Sequence, residues 1–434
     1  MKIAIIGYGS QGRSAYEYWR ENGEVTVCDQ KENTAVPTDV HTQFGPDYLS
    51  ALDQYDLIVR SPSIHPRDIV AANSEAILAK VTTVTNEFMR VCPTKNIIGV
   101  TGTKGKGTTS TLIAHMLASA GKTVHLGGNI GIPPLELLKQ NIQSDDWVVL
   151  ELANFQLIDL HHSPHIGVCL MVSPEHQDWH ATVQEYYEAK SQLFIHQTPE
   201  DMAIYYADDE DSQKIAAAGK AMLIPYMKAP GAMITDSAVV IDGQRVCAVS
   251  ELKLLGKHNW QNICAAVTAV WQIEQNIDAM RKVLTNFAGL SYRIEFRKEV
   301  EGVRYYDDSF ASAPPAILAA VAAIPEPKVL IIGGFDRQLD LTELVEGLLQ
   351  YQDSIRKVLL IGESAERTAE ALQSRGFTNY ELCRAATMTG IVKEAASAAQ
   401  TGDAVVLSPG FPSFDMFKNF EDRGQQFNAA VEQL

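Results

Sequence analysis

The chain has 434 residues, 46% of them hydrophobic and 21% charged, with a formal net charge of -17. That length exceeds what one hydrophobic core organises, so two to three domains are expected, and no apolar run approaches the roughly 20 residues of a membrane span. The acidic balance excludes a counterion-releasing surface for nucleic acid, so any phosphate ligand must be held by local groups. Cys28, Cys92, Cys169, Cys247, Cys264 and Cys383 show no C-x-x-C spacing, and Met1 to Gly9 is too short and glycine-broken for a signal peptide. A reducing cytoplasm is the expected compartment.

KIAIIGYGSQGRSAYEYW predicts a strand at Ile3 to Ile6, then Gly7, Gly9 and Gly12, then a helix, and EVTVCDQ predicts a second strand ending at Asp29. This is the G-x-G-x-x-G pattern with an acid about 20 residues on, in which backbone N–H groups approach a phosphate at a helix N-terminus. Alone it points to a dinucleotide-dependent oxidoreductase; a turn that needs glycines only for its geometry is the competing reading. DLIVRSPSIHP predicts a strand at Leu57 to Val59 leading into a Ser61-Pro62 loop of the kind that binds ligands at strand ends.

A second α/β pattern starts at NIIGV and runs into VTGTKGKGTT. The general phosphate-loop rule is G-x-x-x-x-G-K-[ST]; Val100 replaces its first glycine and Gly107 its hydroxyl residue. Strand, glycine loop and helix nevertheless follow in the required order, with Leu112, Ile113, Met116 and Leu117 at helical spacing and Gly121 as a stop. Gly102, Gly105 and Gly107 let the main chain approach phosphates, Lys106 can lie beside them, and Thr108, or failing it Thr109, offers a hydroxyl.

WVVLELANFQL predicts a strand at Val148 to Leu150 delivering Glu151, which can hold Mg²⁺, with Gln156 nearby; a solvated glutamate is the competing reading. CLMVSPEHQDWH repeats the arrangement and gathers Glu175, His176, Asp178 and His180, a density that fits metal or acid/base chemistry. Without H-E-x-x-H or a cysteine pair, a magnesium ligand from His176 fits better than zinc. Lys190 falls on an amphipathic helix, where the residues alone predict a surface lysine. Beyond Gly289, YRIEF and GVRYYDDS, then KVLIIGG and AVVLSPG about a helix near Ala365 to Ser374, predict a third parallel sheet.

Taken together, TGTKGKGTT, GGNIG, ELANFQL, SPEHQDWH, KHNWQN, YRIE, DDS and LSPGFPSFDMFKNFEDRG resemble the Mur ligases of peptidoglycan synthesis over the whole chain. The last stretch is similar to their D-glutamate-adding branch. The resemblance implies three α/β domains: a Rossmann-like UDP-binding domain over 1–92, a central P-loop ATPase-type domain over 93–289 and a Rossmann-like amino-acid domain over 290–434. It implies ATP-dependent addition of D-glutamate to UDP-N-acetylmuramoyl-L-alanine through an acyl-phosphate, by a monomer.

By the same resemblance Ser10, Gln11, Asp29, Gln30, Lys31, Ser61, Asn129 and His176 lie along the UDP substrate. Gly102, Thr103, Lys104, Gly105, Lys106, Gly107, Thr108, Thr109, Asn259 and Asn262 bind ATP, joined by Arg293 and Asp308 of the third domain. Lys106, Glu151, His176 and Lys190 are catalytic; Thr108, Glu151, His176 and Lys190 as a carbamate hold two Mg²⁺ ions. Ser312, Arg337, Ser413 and Phe420 match positions that bind the amino acid.

Four departures stand out. Phe310 and Arg337 replace lysines, and Ser312 replaces a threonine, while Gly107 resembles the G-K-G-[ST] of folylpolyglutamate ligases. Another amino-acid specificity, or a nucleotide-sensing protein without catalysis, are therefore alternatives, beside the oxidoreductase.

Overall fold

A computed structural model describes residues 1–32, 36–254, 256–338 and 340–434. They form two compact units: residues 1–251 with 260–285, and residues 252–259 with 286–434.

In the first unit, β1 (Lys2–Ile6), β2 (Glu24–Asp29), β3 (His41–Phe44), β4 (Leu57–Arg60) and β5 (Val81–Thr82) make a parallel sheet in the order β3-β2-β1-β4-β5. The order reverses at β1, so the loops after β1 and β4 flank a crevice at the strand ends, where such sheets bind ligands. The glycines between β1 and the helix Ser10–Trp19 have distinct reasons. Gly7 has a positive φ of 83, and a Cβ on Gly12 would lie 2.0 Å from the Gly7 carbonyl oxygen, so only glycine lets helix and strand meet.

The second sheet of this unit holds β6 (Ile97–Thr101), β7 (Val124–Gly128), β8 (Trp147–Glu151), β9 (Ile166–Cys169), β10 (Met202–Tyr206) and β11 (Met222–Tyr226) in the order β11-β10-β9-β6-β8-β7, all parallel. β6 and β9 are buried at every residue, as expected of strands covered on both faces, hence their unbroken apolar spelling. Because β6 lies between β8 and β9, the glycine loop, Glu151 and the 170–176 stretch all leave the same edge of the sheet. A small antiparallel sheet follows: β12 (Met233–Thr235), β13 (Ala238–Ile241) and β14 (Gln244–Ala248). One apolar cluster, including Ile3, Val27 and Phe88 with Leu137, Leu150 and Phe194, runs through both parallel sheets.

The second unit orders β15 (Glu295–Val300), β16 (Val303–Asp307), β17 (Lys328–Gly333), β18 (Ile355–Ile361), β19 (Tyr380–Leu382) and β20 (Ala404–Leu407) as β15-β16-β20-β17-β18-β19. The expected third parallel sheet is present in five of these strands, and β15 departs from it by pairing antiparallel with β16. The two strands are joined by Glu301 and Gly302 alone, both with positive φ (51 and 79), and a two-residue hairpin of that kind can connect only antiparallel strands. The helix read near Ala365 to Ser374 spans those residues. Among the described residues no helix is long and apolar enough to cross a membrane.

Candidate functional site

The loop after β6 turns at Gly102 and Gly105, whose φ values are 144 and 86, into the helix Lys106–Ser119. A Cβ on Gly105 would meet the Asn262 side-chain oxygen at 2.0 Å, so the loop and the helix carrying Asn262 are close enough to demand glycine there. Lys106 Nζ donates to the carbonyl oxygens of Gly102 (3.2 Å) and Thr103 (3.0 Å), folding its ammonium over the loop. The Thr103 hydroxyl is turned into the protein, within 2.9 Å of the Tyr186 hydroxyl and 3.0 Å of the Ser173 carbonyl oxygen. Lys104 is exposed.

Lys190 corrects the surface reading that its residue pattern alone suggests. It is 1% exposed, on the helix Val183–Ser191, and its Nζ donates to the Gly102 carbonyl oxygen at 2.9 Å. The Tyr186 ring centroid lies 4.4 Å from that Nζ. Burial first, and the Lys106 charge second, pull its pKa down to about 7. The helix looks amphipathic because its other polar residues face water, but Lys190 lies on the side that packs beneath the glycine loop.

Glu151, at the end of β8, is 4% exposed. Its Oε1 accepts from Asn129 Nδ2 at 3.1 Å, whereas its buried Oε2 has no hydrogen-bond partner among the described residues. Thr109 is fully buried with its hydroxyl likewise unpartnered, while Thr108 is 9% exposed. An orphaned carboxylate oxygen beside a phosphate loop costs free energy unless a cation or donor satisfies it, and the oxygens of Glu151 and the threonines suit Mg²⁺. The residues present therefore fit that ion.

His176 adopts a positive φ of 57 and packs edge-on to Phe155 at 4.7 Å. Burial lowers its pKa, opposed by Glu175 and reinforced by Lys106, so its ring is held neutral and able to act as a ligand.

His180, four residues on, does not join His176. Its Nδ1 lies 3.3 Å from Glu185 Oε2, and His65 Nε2 lies 3.4 Å from Glu185 Oε1. The pair of imidazoles with a carboxylate has the composition of a metal centre, but His65 Nδ1 accepts the Arg67 backbone N–H at 3.1 Å. In the neutral ring that leaves the proton on Nε2, toward Glu185, although neither that nitrogen nor His180 Nδ1 makes a hydrogen bond among the described residues.

In the first crevice, Asp29 Oδ2 accepts from the Tyr8 backbone N–H at 2.8 Å and the Ser61 hydroxyl donates to the Gly7 carbonyl oxygen at 2.9 Å. Both thus brace the glycine loop. Gln11 Nε2 donates to the Gly128 carbonyl oxygen at 3.3 Å, which brings it next to Asn129, while Ser10, Gln30 and Lys31 are exposed.

Sequence reasoning missed Arg60, which is 1% exposed and donates to Asp159 at 2.6 and 2.8 Å, to the Ile64 carbonyl oxygen at 2.7 Å and to that of Phe155 at 3.0 Å. The only local signal was a charge closing an apolar strand.

In the second unit Asp308 is buried, accepting from the Ser408 hydroxyl at 2.7 Å and the Ile294 backbone N–H at 3.2 Å. Burial raises its pKa to about 7. Ser413 is buried, Phe420 half-buried, and Ser312 and Arg337 exposed. Another residue missed in the sequence, Arg423, is fully buried and donates to the Ser309 carbonyl oxygen (2.8 Å) and the Phe411 carbonyl oxygen (3.0 Å). It thereby ties the loop after β16 to the loop after β20. In the helix start His258–Trp271, Asn259 and Asn262 are each 8% exposed.

A glycine loop bearing Lys106 in the middle of a parallel sheet, with a buried carboxylate on the adjacent strand end, defines a nucleotide-binding α/β protein. Residues 100–270 match the Mur ligase middle domain and residues 292–411 the Mur ligase glutamate ligase domain. The chain is 34% identical over 454 residues to a UDP-N-acetylmuramoylalanine--D-glutamate ligase of Clostridium tetani (strain Massachusetts / E88), covering 100% of this chain and 97% of that protein. A relative of the same name from Clostridium kluyveri (strain NBRC 12016) is 34% identical over 449 residues, with the same coverage.

Among solved structures, the MurF ligase of Thermotoga maritima in complex with ADP has a TM-score of 0.60 at 17% identity, covering 99% of this chain and 94% of that one. E. coli FolC in complex with DHPP and ADP has a TM-score of 0.56 at 19% identity, covering 81% and 91%. These likenesses show the fold. The chain belongs to the Mur ligase family.

Proposed function

We propose that the chain is an ATP-dependent amide ligase that joins D-glutamate to UDP-N-acetylmuramoyl-L-alanine in the cytoplasm, acting as a monomer. The observation that carries this reading is the convergence of Lys106, Lys190 and the unpartnered Glu151 carboxylate at the mouth of β6, in a chain similar end to end to relatives of that name.

A carboxylate is a poor electrophile until one oxygen becomes a leaving group. In the proposed reaction a carboxylate oxygen of the UDP substrate attacks the γ-phosphorus of ATP and ADP leaves; the D-glutamate amine then attacks the acyl carbon, phosphate leaves and the amine gives up a proton. Both steps gather negative charge. Lys106 offsets that charge from a fixed position, with the backbone N–H groups of residues 102 to 109 beside it. Two Mg²⁺ ions, when bound, supply further neutralisation of phosphate charge; Glu151, His176, Thr108 with Thr109 in reserve, and Lys190 as a carbamate are the residues proposed to hold them. A pKa near 7 supports that last assignment, because only the neutral amine adds to CO₂, losing a proton to become an anionic oxygen ligand.

Ser10, Gln11, Asp29, Gln30, Lys31, Ser61, Asn129 and His176 are proposed along the UDP substrate, and Asn259, Asn262, Arg293 and Asp308 as further ATP contacts. Ser312, Arg337, Ser413 and Phe420 are assigned to D-glutamate, Arg337 gripping a carboxylate through its planar fork. The functional division proposed is 1–92, 93–289 and 290–434.

The test is phosphate release from MgATP with UDP-N-acetylmuramoyl-L-alanine when D-glutamate, L-glutamate, L-lysine or L-alanine is offered separately. Release with D-glutamate alone is expected; release with none would sink the ligase reading, and release with another amino acid would reassign the specificity.

A further inference from the structure

In the second unit, Phe310 is 41% exposed, although an aromatic side chain gains most when it is buried. Its ring is not idle. The Arg293 guanidinium carbon lies 3.8 Å from the Phe310 centroid, within the range where a cation is attracted by the ring face. Phe420 meets the same ring edge-on at 5.0 Å, and Tyr292 meets Phe420 edge-on at 6.0 Å. Phe310 is also fixed at the backbone, where its N–H donates to the Tyr292 carbonyl oxygen at 3.0 Å.

The chain around Arg293 is held under strain. Tyr292 and Ile294 have φ values of 64 and 48, a region that a β-branched residue such as isoleucine avoids. Strain of this kind persists only where surrounding contacts over-determine the backbone. Those contacts are present: the Tyr292 N–H donates to Glu295 Oε2 at 3.0 Å and the Ile294 N–H to Asp308 Oδ1 at 3.2 Å.

We propose that Phe310 is a positioning residue for Arg293: its ring holds the guanidinium by the face, so that the N–H edge is presented to an anionic oxygen of a substrate. A stacked guanidinium loses none of its donors, because all five lie in its plane. The inference rests on the ligase reading above for the identity of the anion, which is a phosphate oxygen of ATP or a carboxylate of the amino acid.

The test uses the full chain in three forms: unaltered, Phe310→Leu and Phe310→Tyr. By NMR, the Arg293 δ-methylene protons are expected upfield from the ring current in the unaltered and Phe310→Tyr chains and at ordinary positions in Phe310→Leu. Titration with inorganic pyrophosphate or, separately, with D-glutamate should move the Arg293 Nε resonance, and Phe310→Leu should need roughly 3- to 30-fold more of the anion that does so, the range a cation–ring contact allows. Steady-state kinetics then assign the source: Phe310→Leu raises KM for ATP if the anion is a phosphate and KM for D-glutamate if it is a carboxylate, with Phe310→Tyr restoring it. No ring-current shift in the unaltered chain overturns the stack, and a Phe310→Leu titration equal to the parent overturns the positioning role. Absent turnover in all three chains counts against the ligase reading alone, since the NMR readouts need none.

Discussion

Lys190 and Lys106 donate to one and the same acceptor, the carbonyl oxygen of Gly102, at 2.9 and 3.2 Å. Two ammonium groups on one oxygen repel, and Lys190, the more deeply buried, is the one whose charge is disfavoured. Lys190 is therefore poised to lose its proton near neutrality.

That relationship predicts carbamylation. In ¹³C-bicarbonate at pH 8, above the value of about 7 for Lys190, a carbamate carbon resonance is expected that is absent from Lys190→Ala and fades as the pH falls below 7. Turnover of Lys190→Ala should drop at least about 100-fold, the scale of removing one group that stabilises developing charge, and recover in part with a short carboxylic acid. A spectrum without the resonance in the unaltered chain would count against it.

Lys106→Ala should lower phosphate release at saturating MgATP by roughly 100-fold or more, for the same electrostatic reason. Unchanged turnover would remove the 102–109 loop from the phosphate site.

Glu151→Gln keeps an acceptor for Asn129 but removes the charge of the unpartnered oxygen. The Mg²⁺ concentration for half-maximal turnover should rise about 10-fold or more, while the melting temperature holds or rises because a buried orphan charge has gone. A titration unaffected by the substitution would show that Glu151 does not hold the ion.

Arg60→Met breaks a buried ion pair with Asp159 whose arginine side chain is fully covered. The expected loss is about 3–5 kcal/mol in urea unfolding of the first unit. A loss below about 1 kcal/mol would show that the pair is not what joins β4 to the 155–159 stretch.

Asp308 gives a pH signature. Its folded-state value of about 7 exceeds the ordinary 3.8, so the folded chain binds more protons than the unfolded one between those values, and stability falls as pH rises through that window. Asp307, raised to about 6 by burial, acts in the same direction. Asp308→Asn should flatten the slope between pH 5 and 7.5 and raise stability at pH 7.5 by roughly 2 kcal/mol, read from urea midpoints at both pH values. An unaltered slope would show that Asp308 titrates as if exposed.

The glycine loops were legible because their geometry is local: a strand must end, the backbone must turn and a helix must start within a few residues. β6 and β8 were legible because burial on both faces leaves an apolar spelling, whereas the strand read in CLMV lies earlier, at Ile166–Cys169. Arg60 and Lys190 were not, since each is a charged residue whose burial depends on partners far along the chain, Asp159 for one and the Gly102 carbonyl for the other. His180 was assigned to the His176 cluster by proximity in sequence, yet its ring faces Glu185 together with His65.

By itself the sequence determined the succession of α/β elements, the phosphate loop and, through its motifs, the family, because period, turn chemistry and short-range spacing are written residue by residue. Only the tertiary structure decided that Lys190 is buried against the glycine loop and that Arg293 stacks on Phe310. Those outcomes depend on strand order and on contacts that exist only after distant segments have packed, where desolvation and shared hydrogen-bond acceptors set the charge of each group.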